Sequence, residues 1–281
     1  MPVDAELRTL KVDIPSQPES LVELSLMLAD DNTNMNSMGA LIAADMALAS
    51  AVLKAVNSSL YGLKGRVQSV KQAITYLGMR EVASLTFAMG LRAVFPDARE
   101  LTPVWERANV RGVLMGRMGK AMDIDPWVAH SAGLFEECGK AVLLRHSAER
   151  YRPLLTRAGN SDAELLLLEH AEFGVSHEAL GAALCESWGL APMAVEAVRH
   201  HVVVNATGEI PINLPVQRRA VCVLSALANA LMAEQSDSEL LELLSAKLAP
   251  QADLDPFTVL HSVQAVQKQL VSAMARQEEE A

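Results

Sequence analysis

The chain has 281 residues, of which 51% are hydrophobic and only 4% aromatic, and its formal net charge at pH 7 is −10. A core filled by Ala, Leu, Val and Met favours helices over strands, so we expect an all-α fold. The negative charge argues against a broad nucleic-acid surface, which would need clustered Lys and Arg, and makes nucleic acid the weakest partner class.

The N-terminal part of the chain, residues 14–95, predicts a subdomain of about five short helices. Ser37, Asp45 and Ser69 are each followed by apolar residues at helical spacing, and we expect each of them to cap a helix. The polar segment 97–103 lies between two prolines, since Pro96 precedes it and Pro103 ends it. It is the best internal boundary in the sequence.

Residues 103–232 predict a second helical part. Ser161 and Ser176 are expected to cap helices there, and Pro192 is expected to open a helix over Met193–His201. Residues 233–281 predict further helices at the C-terminus. These helices either pack onto the rest of the domain or mediate a homodimer.

The terminus and the cysteines indicate the compartment. The opening stretch MPVDAELRTLKVDIP has early acids and no apolar core, so it does not predict a signal peptide, and no stretch is apolar enough to cross a bilayer. Cys138, Cys185 and Cys222 are widely spaced in apolar surroundings, without a CxxC pair. We therefore expect a cytoplasmic protein with buried reduced thiols and no membrane partner.

The stretch Val128–Arg145 predicts one buried helix that carries two adjacent acids, Glu136 and Glu137, at its centre. Buried acids require partners, because an unpaired buried charge is costly. Glu136 and Lys140 have the spacing of a favourable i,i+4 ion pair. The simplest interpretation is one surface ion pair and one acid that is salt-bridged inward; a metal-binding or catalytic role is the alternative.

Three histidines, His177, His200 and His201, are the other candidates for chemistry. His177 falls in the first turn of its predicted helix, where side chains are commonly solvated or capping. His200 and His201 lie near a predicted helix end, where the helix dipole favours a cation. No HExxH motif or Cys/His spacing supports a zinc site, so ordinary hydrogen-bonded or exposed histidines are favoured.

Several blocks of sequence resemble an HDOD domain, in the right order, over residues 14–232. They include NSS at 57–59, AGLFEECGK at 132–140, FGVSHEALG at 173–181, LCESWGLAP at 184–192 and the pair His200–His201. The resemblance implies an all-α fold with an N-terminal helical subdomain, residues 14–95, packed on a core, residues 103–232, related to metal-dependent HD phosphohydrolases. HDOD domains occur in bacterial signalling proteins and generally lack a complete HD metal site.

The resemblance also implies where an HD metal site would lie, and this chain departs from it at every position. Arg107 stands for the first His, Glu136 and Glu137 for the His-Asp pair, and Asn229 for the final metal-binding Asp. A guanidinium in place of an imidazole cannot bind a metal and adds a positive charge. We expect Arg107 to pair with Glu137 or Glu136, with no metal or other cofactor at this centre.

The resemblance therefore predicts a non-enzymatic signal-transduction module that binds proteins or a small ligand in a degenerate phosphohydrolase cleft. No receiver, GGDEF or EAL domain fits into the remaining residues, so the expected partners are separate chains: a histidine kinase, a cyclic-dinucleotide enzyme or a regulator. The alternative is a residual metal-dependent phosphohydrolase that uses His177, His200 and His201, together with Glu137.

Overall fold

The computed structural model describes residues 12–30, 32–57, 65–233 and 237–279, with side chains described as far as residue 269. Within these ranges all regular structure is helical and no β-strand occurs. The predicted all-α fold is therefore confirmed. The described residues form two compact units: a core unit of residues 12–15 and 95–268, and an N-terminal unit of residues 16–94 with 269–279.

The N-terminal unit contains five helices among its described residues: α1 (Glu19–Ala29), α2 (Met35–Ala44), α3 (Met46–Val56), α4 (Val70–Leu77) and α5 (Met79–Ala93). Asp45 caps α3 by accepting from the Leu48 N–H at 3.0 Å, and Ser69 caps α4, both as predicted. The prediction that Ser37 caps α2 is wrong. Asn34 performs that role, because its side-chain oxygen accepts from two backbone N–H groups and starts the helix earlier.

The core unit begins with an extended segment, residues 12–15, and a 3-10 turn over Arg99–Leu101. Its helices, in chain order, are α6 (Thr102–Ala121), α7 (Pro126–Phe135), α8 (Cys138–Ala158), α9 (Asp162–Phe173), α10 (His177–Ser187), α11 (Pro192–Thr207), α12 (Ala220–Met232), α13 (Ser238–Leu248) and, as far as residue 268, α14 (Pro256–Glu279). Ser161 and Ser176 cap α9 and α10, as predicted. Cys138, Cys185 and Cys222 are buried free thiols, also as predicted.

The stretch Val128–Arg145 is not one helix, and that prediction is wrong. Helix α7 ends at Phe135 and α8 starts at Cys138, so Glu136 and Glu137 form a junction between two helices. The residues on both sides of the junction are apolar, so the hydrophobic pattern of the sequence predicts a single uninterrupted helix. Gly139 lets α8 approach α10 very closely, since a Cβ at this position would collide with the His177 carbonyl oxygen.

Helix α11 is longer than the sequence pattern predicted. It continues past His201 to Thr207 and ends at Gly208, which adopts a left-handed conformation with φ 65°. The continuation buries Val202 and Val204 in the core, and this burial outweighs the modest helix propensity of β-branched residues. The predicted end at His201 is therefore wrong.

The C-terminal residues of the core unit are tied to the loop after α11 by polar contacts. Arg219 donates to the carbonyls of Leu214 at 2.7 Å and Gln251 at 2.9 Å, and the Gln251 side chain accepts from the Ile210 N–H at 2.8 Å. Helix α13 also packs on α12. These contacts integrate α13 into the core unit.

No single helix in the described part of the chain has both the length and the apolar composition of a membrane span. Helices α2 and α3 together have that length and composition, but the chain bends by 115° between them.

Candidate functional site

The candidate site is built around the junction between α7 and α8. Glu136 and Glu137 are both 2% exposed, although they are charged residues. Helix α6 places Arg107 and Arg111 beside them, one helical turn apart. Helix α12 supplies Ser225 and Asn229 from another side, and the remaining contacts come from α8 and α9.

Glu137 is surrounded by three cations. Arg107 donates to both carboxylate oxygens, from Nε to Oε2 at 3.0 Å and from Nη2 to Oε1 at 2.6 Å. Arg111 Nη2 donates to Oε2 at 2.5 Å, and Lys140 Nζ donates to Oε1 at 2.6 Å. Burial by itself raises the pKa of Glu137, but Lys140, Arg111 and Arg107 outweigh burial and hold this pKa well below its ordinary value.

Glu136 has a different environment, dominated by neutral donors. Ser225 Oγ donates to its Oε2 at 2.6 Å and Asn229 Nδ2 donates to its Oε1 at 2.8 Å. Its nearest cation is Arg111, whose Nε lies 3.3 Å from Oε1. Both oxygens of this buried acid are thus satisfied, as a buried charge requires.

Arg111 links the two acids and is the residue that sequence reasoning missed. Its side chain is 2% exposed, and its guanidinium also donates to Asn229 Oδ1 at 3.1 Å and to the Gly133 carbonyl at 3.4 Å. Burial lowers the pKa of Arg111, but Glu136 and Glu137 raise it by more than burial lowers it, so the side chain stays a cation.

The sequence does contain a signal for Arg111. It falls on the apolar face of α6, which is otherwise formed by the buried residues Val104, Ala108, Met115 and Met118. An arginine at a position where helical periodicity requires an apolar residue must have a buried acidic partner.

Lys140 does not form the predicted i,i+4 pair with Glu136. It binds Glu137 instead, and its Nζ also lies 2.6 Å from Asp162 Oδ1. The predicted surface ion pair is therefore wrong, because Lys140 is 5% exposed and the helix break turns Glu136 away from it. Three acids, Glu136, Glu137 and Asp162, face three cations in this cluster, so its formal charges cancel.

The sequence left His177 as either a hydrogen-bonded or an exposed histidine, and the structure shows the hydrogen-bonded one. It is 0% exposed, and both its backbone N–H, at 2.8 Å, and its Nδ1, at 2.7 Å, contact Glu169 Oε2. Glu169 is itself fully buried, and its other oxygen accepts from the Tyr151 hydroxyl at 2.6 Å. Burial and the nearby Glu169 raise the pKa of Tyr151 well above its ordinary value.

His201 lies beside His177, whereas His200 faces Glu196. The His177 and His201 rings are 5.2 Å apart between centroids, and His201 Nδ1 lies 2.8 Å from the Val198 carbonyl oxygen. The Nε2 atoms of His177 and His201 are buried and have no hydrogen-bond partner among the described residues. His200 Nε2 lies 3.6 Å from Glu196 Oε2.

The residues at the junction do not fit a divalent metal ion, although the resemblance implies a relation to metal-dependent enzymes. In the described ranges no group of three or more His, Cys, Asp or Glu side chains is arranged to hold one. Glu137, the most central acid, is already bound by two guanidinium groups and an ammonium, which cannot ligate a metal and would repel it. The assignment of Arg107, Glu136, Glu137 and Asn229 to an ancestral metal site stays a prediction.

One curated relative and several solved structures are similar to this chain. A protein of Treponema pallidum (strain Nichols), described as uncharacterized, is 26% identical over 192 residues, which make up 67% of this chain and 37% of that protein. The match thus spans little more than a third of the relative's length.

Three solved structures illustrate the shared fold. An HDOD domain protein of unknown function from Geobacter sulfurreducens is 18% identical, with a TM-score of 0.71 over 94% of this chain and 92% of that one. A candidate phosphohydrolase from Shewanella amazonensis SB2B is 16% identical, with a TM-score of 0.68 over 95% and 98%. A candidate signal transduction protein from Marinobacter aquaeolei VT8 is 20% identical, with a TM-score of 0.68 over 94% and 59%.

At these identities the structures show a common fold and confirm the predicted HDOD-type architecture, without assigning an activity. The family model of the HDOD domain matches residues 14–204, which is more than half of the chain. The chain therefore belongs to the HDOD family.

Proposed function

We propose that this protein is a non-catalytic regulatory module of bacterial signal transduction. The observation that carries the proposal is the ion-paired cluster at the α7–α8 junction. Glu137 is the acid that a metal-dependent hydrolase would need as a ligand. Both of its carboxylate oxygens already accept hydrogen bonds from Arg107, Arg111 and Lys140. Glu136 and Glu137 are both held by donors in this cluster, and neither is poised to activate water.

The cluster joins four parts of the core unit. It connects α6, the α7–α8 junction, the start of α9 and α12 through charged hydrogen bonds. A rigid helical core of this kind suits a scaffold that binds other proteins or a small ligand. We propose partners from bacterial signalling, namely a histidine kinase, a cyclic-dinucleotide enzyme or a regulator, and this partner class rests on the family resemblance.

The first test is the metal content and hydrolytic activity of untagged protein purified without chelator. We expect no stoichiometric transition metal, no rise in melting temperature with millimolar Mn²⁺ or Mg²⁺, and no turnover of phosphodiesters such as cyclic dinucleotides. A bound metal together with turnover that disappears in Glu137→Gln would overturn the proposal.

A second test addresses binding. Affinity capture with wild-type protein should recover defined signalling proteins, and purified candidates should bind with a measurable dissociation constant. If purified kinases, cyclic-dinucleotide enzymes and regulators from the same genome all fail to bind, the partner class is wrong.

One observation favours a second candidate, residual metal-dependent phosphohydrolase activity at the histidines. The Val198 carbonyl can only accept, so His201 carries its proton on Nδ1, and in the neutral ring Nε2 is then a bare acceptor. His177 has the same arrangement towards the Glu169 carboxylate. An imidazole whose Nδ1–H is fixed in this way is the form that binds a metal through Nε2. Metal-dependent turnover that is lost in His177→Gln and in His201→Gln would establish this candidate.

A further inference from the structure

The side chains at the four positions predicted for a metal site gather around Arg111. Its guanidinium contacts Glu137 Oε2 at 2.5 Å, Asn229 Oδ1 at 3.1 Å and Glu136 Oε1 at 3.3 Å. Arg107 contributes to the same centre from its edge, with a side chain that is 44% exposed. The four positions therefore surround a buried cation that belongs to the chain.

We infer that Arg111 takes the place of a divalent ion in this centre and is the residue that excludes one. The inference rests on the proposed function, because it assumes that the wild-type centre is closed by ion pairs. It adds a specific cause for the exclusion of a divalent ion. That exclusion depends more on Arg111, which the resemblance did not single out, than on the four substituted positions.

The atoms that Arg111 binds define which ion the centre would accept without it. Removing the guanidinium takes one donor away from Glu136 Oε1 and from Glu137 Oε2, which keep their other partners, and leaves the amide oxygen of Asn229 and the carbonyl oxygen of Gly133 without the donor they have now. A donor set made only of oxygens suits hard cations such as Mg²⁺, Mn²⁺ and Ca²⁺ and disfavours Cu²⁺ and thiolate-seeking metals. Loss of one cation also leaves the previously neutral cluster with one excess negative charge, which favours a bound cation.

A corollary concerns restoration of the family's metal ligands. Changing Arg107, Glu136, Glu137 and Asn229 to the residues of an HD site should fail to create a metal site while Arg111 remains. Its positive charge would then lie within contact distance of the incoming ion.

The test compares two neighbouring arginines. Arg111→Met keeps an unbranched aliphatic stem and removes the charged guanidinium, and Arg107→Met is the matched control one turn earlier on α6. With millimolar Mn²⁺, Mg²⁺ or Ca²⁺, the melting temperature of Arg111→Met should rise by about 5 °C, as expected for a ligand well above its dissociation constant. Wild type and Arg107→Met should not change, and calorimetry should detect one site in Arg111→Met alone.

The outcomes separate this inference from the proposed function. Stabilisation of wild type by the ions would contradict the proposed function. If wild type is unaffected and Arg111→Met also gains no binding, only the role of Arg111 is refuted. Should Arg111→Met fail to fold alone, refolding with each ion should recover it, and failure to recover also counts against the inference. The charge-balanced variant Arg111→Met/Glu136→Gln should fold without any ion and gain no binding.

Discussion

Arg107 and Glu137, which are thirty residues apart in the chain, meet in a two-pronged ion pair in which the Nε–Nη2 edge of the guanidinium contacts both carboxylate oxygens. The sequence predicted that Arg107 pairs with Glu137 or Glu136, and the geometry selects Glu137. The carboxylate is nevertheless shared, because Arg111 and Lys140 bind the same two oxygens. Removing the acid and removing one of its cations should therefore have unequal effects.

Glu137→Gln should be the most damaging substitution in the cluster. It leaves three cations around a neutral amide, two of them buried, and we expect a loss of about 3–5 kcal/mol in the free energy of unfolding at neutral pH. Urea denaturation followed by circular dichroism would measure it. Glu172→Gln is the control, because it breaks the exposed Arg150–Glu172 pair and should cost less than about 1 kcal/mol. Similar losses in the two variants would contradict the assignment.

The same carboxylate predicts a pH dependence. The folded-state pKa of Glu137 lies well below its ordinary value of 4.5. Its ionised form therefore contributes fully to the free energy of unfolding above pH 4.5, and this contribution is lost as the pH falls through the folded-state pKa. Wild type should therefore lose stability steeply below pH 4.5. Glu137→Gln should show a flatter profile in that range, and two parallel profiles would disprove this link.

Arg107→Ala should destabilise the fold less than Glu137→Gln does. Its side chain is 44% exposed, and Glu137 keeps Arg111 and Lys140 when Arg107 is removed. We expect a loss of about 1–2 kcal/mol, measured by chemical denaturation. Arg107→Lys keeps the charge but not the two-pronged geometry, so it should recover part of this loss. Full recovery would mean that charge alone matters at this position.

Asn229→Asp should be destabilising even though it introduces the residue type that the resemblance implies for an HD metal site. It removes the Nδ2 donor that Glu136 accepts from at 2.8 Å and places a second carboxylate there. We expect a loss of about 1–3 kcal/mol at neutral pH. We expect repulsion from Glu136 Oε1, 2.8 Å from the replaced amide nitrogen, to outweigh attraction to Arg111 Nε, 3.1 Å from the amide oxygen, and so to raise the pKa of the new carboxyl in the folded state. The loss should then shrink as the pH falls and this carboxyl is protonated. A loss that is independent of pH would contradict the electrostatic explanation.

Gly139→Ala should prevent normal packing of α8 on α10. A Cβ would meet the backbone of His177 and lie 2.8 Å from the Gly181 nitrogen, and neither backbone group is free to move away as a flexible side chain could. We expect a loss above about 3 kcal/mol or no folded protein, judged by thermal melting and size-exclusion chromatography. The control, Gly116→Ala, meets its nearest atoms at 3.4 Å and should stay within about 1 kcal/mol of wild type.

The helical content and many of the helix starts were predictable from local sequence. Asp45, Ser69, Ser161 and Ser176 cap their helices as predicted, because an N-cap depends on hydrogen bonds to residues only two or three positions away. The Arg107–Glu137 pair was also accessible, since the resemblance placed the two residues at one centre and their charges are opposite.

The tertiary structure decided the break at Glu136–Glu137 and the role of Arg111. The apolar pattern runs through the junction without interruption, so periodicity had no means of revealing where one helix ends and the next begins. Arg111 is held by Glu136, Glu137 and Asn229, and the last of these lies more than a hundred residues away in the chain. Partners of a buried charge come from wherever the fold brings them, which is why the cation that closes the centre became visible only in three dimensions.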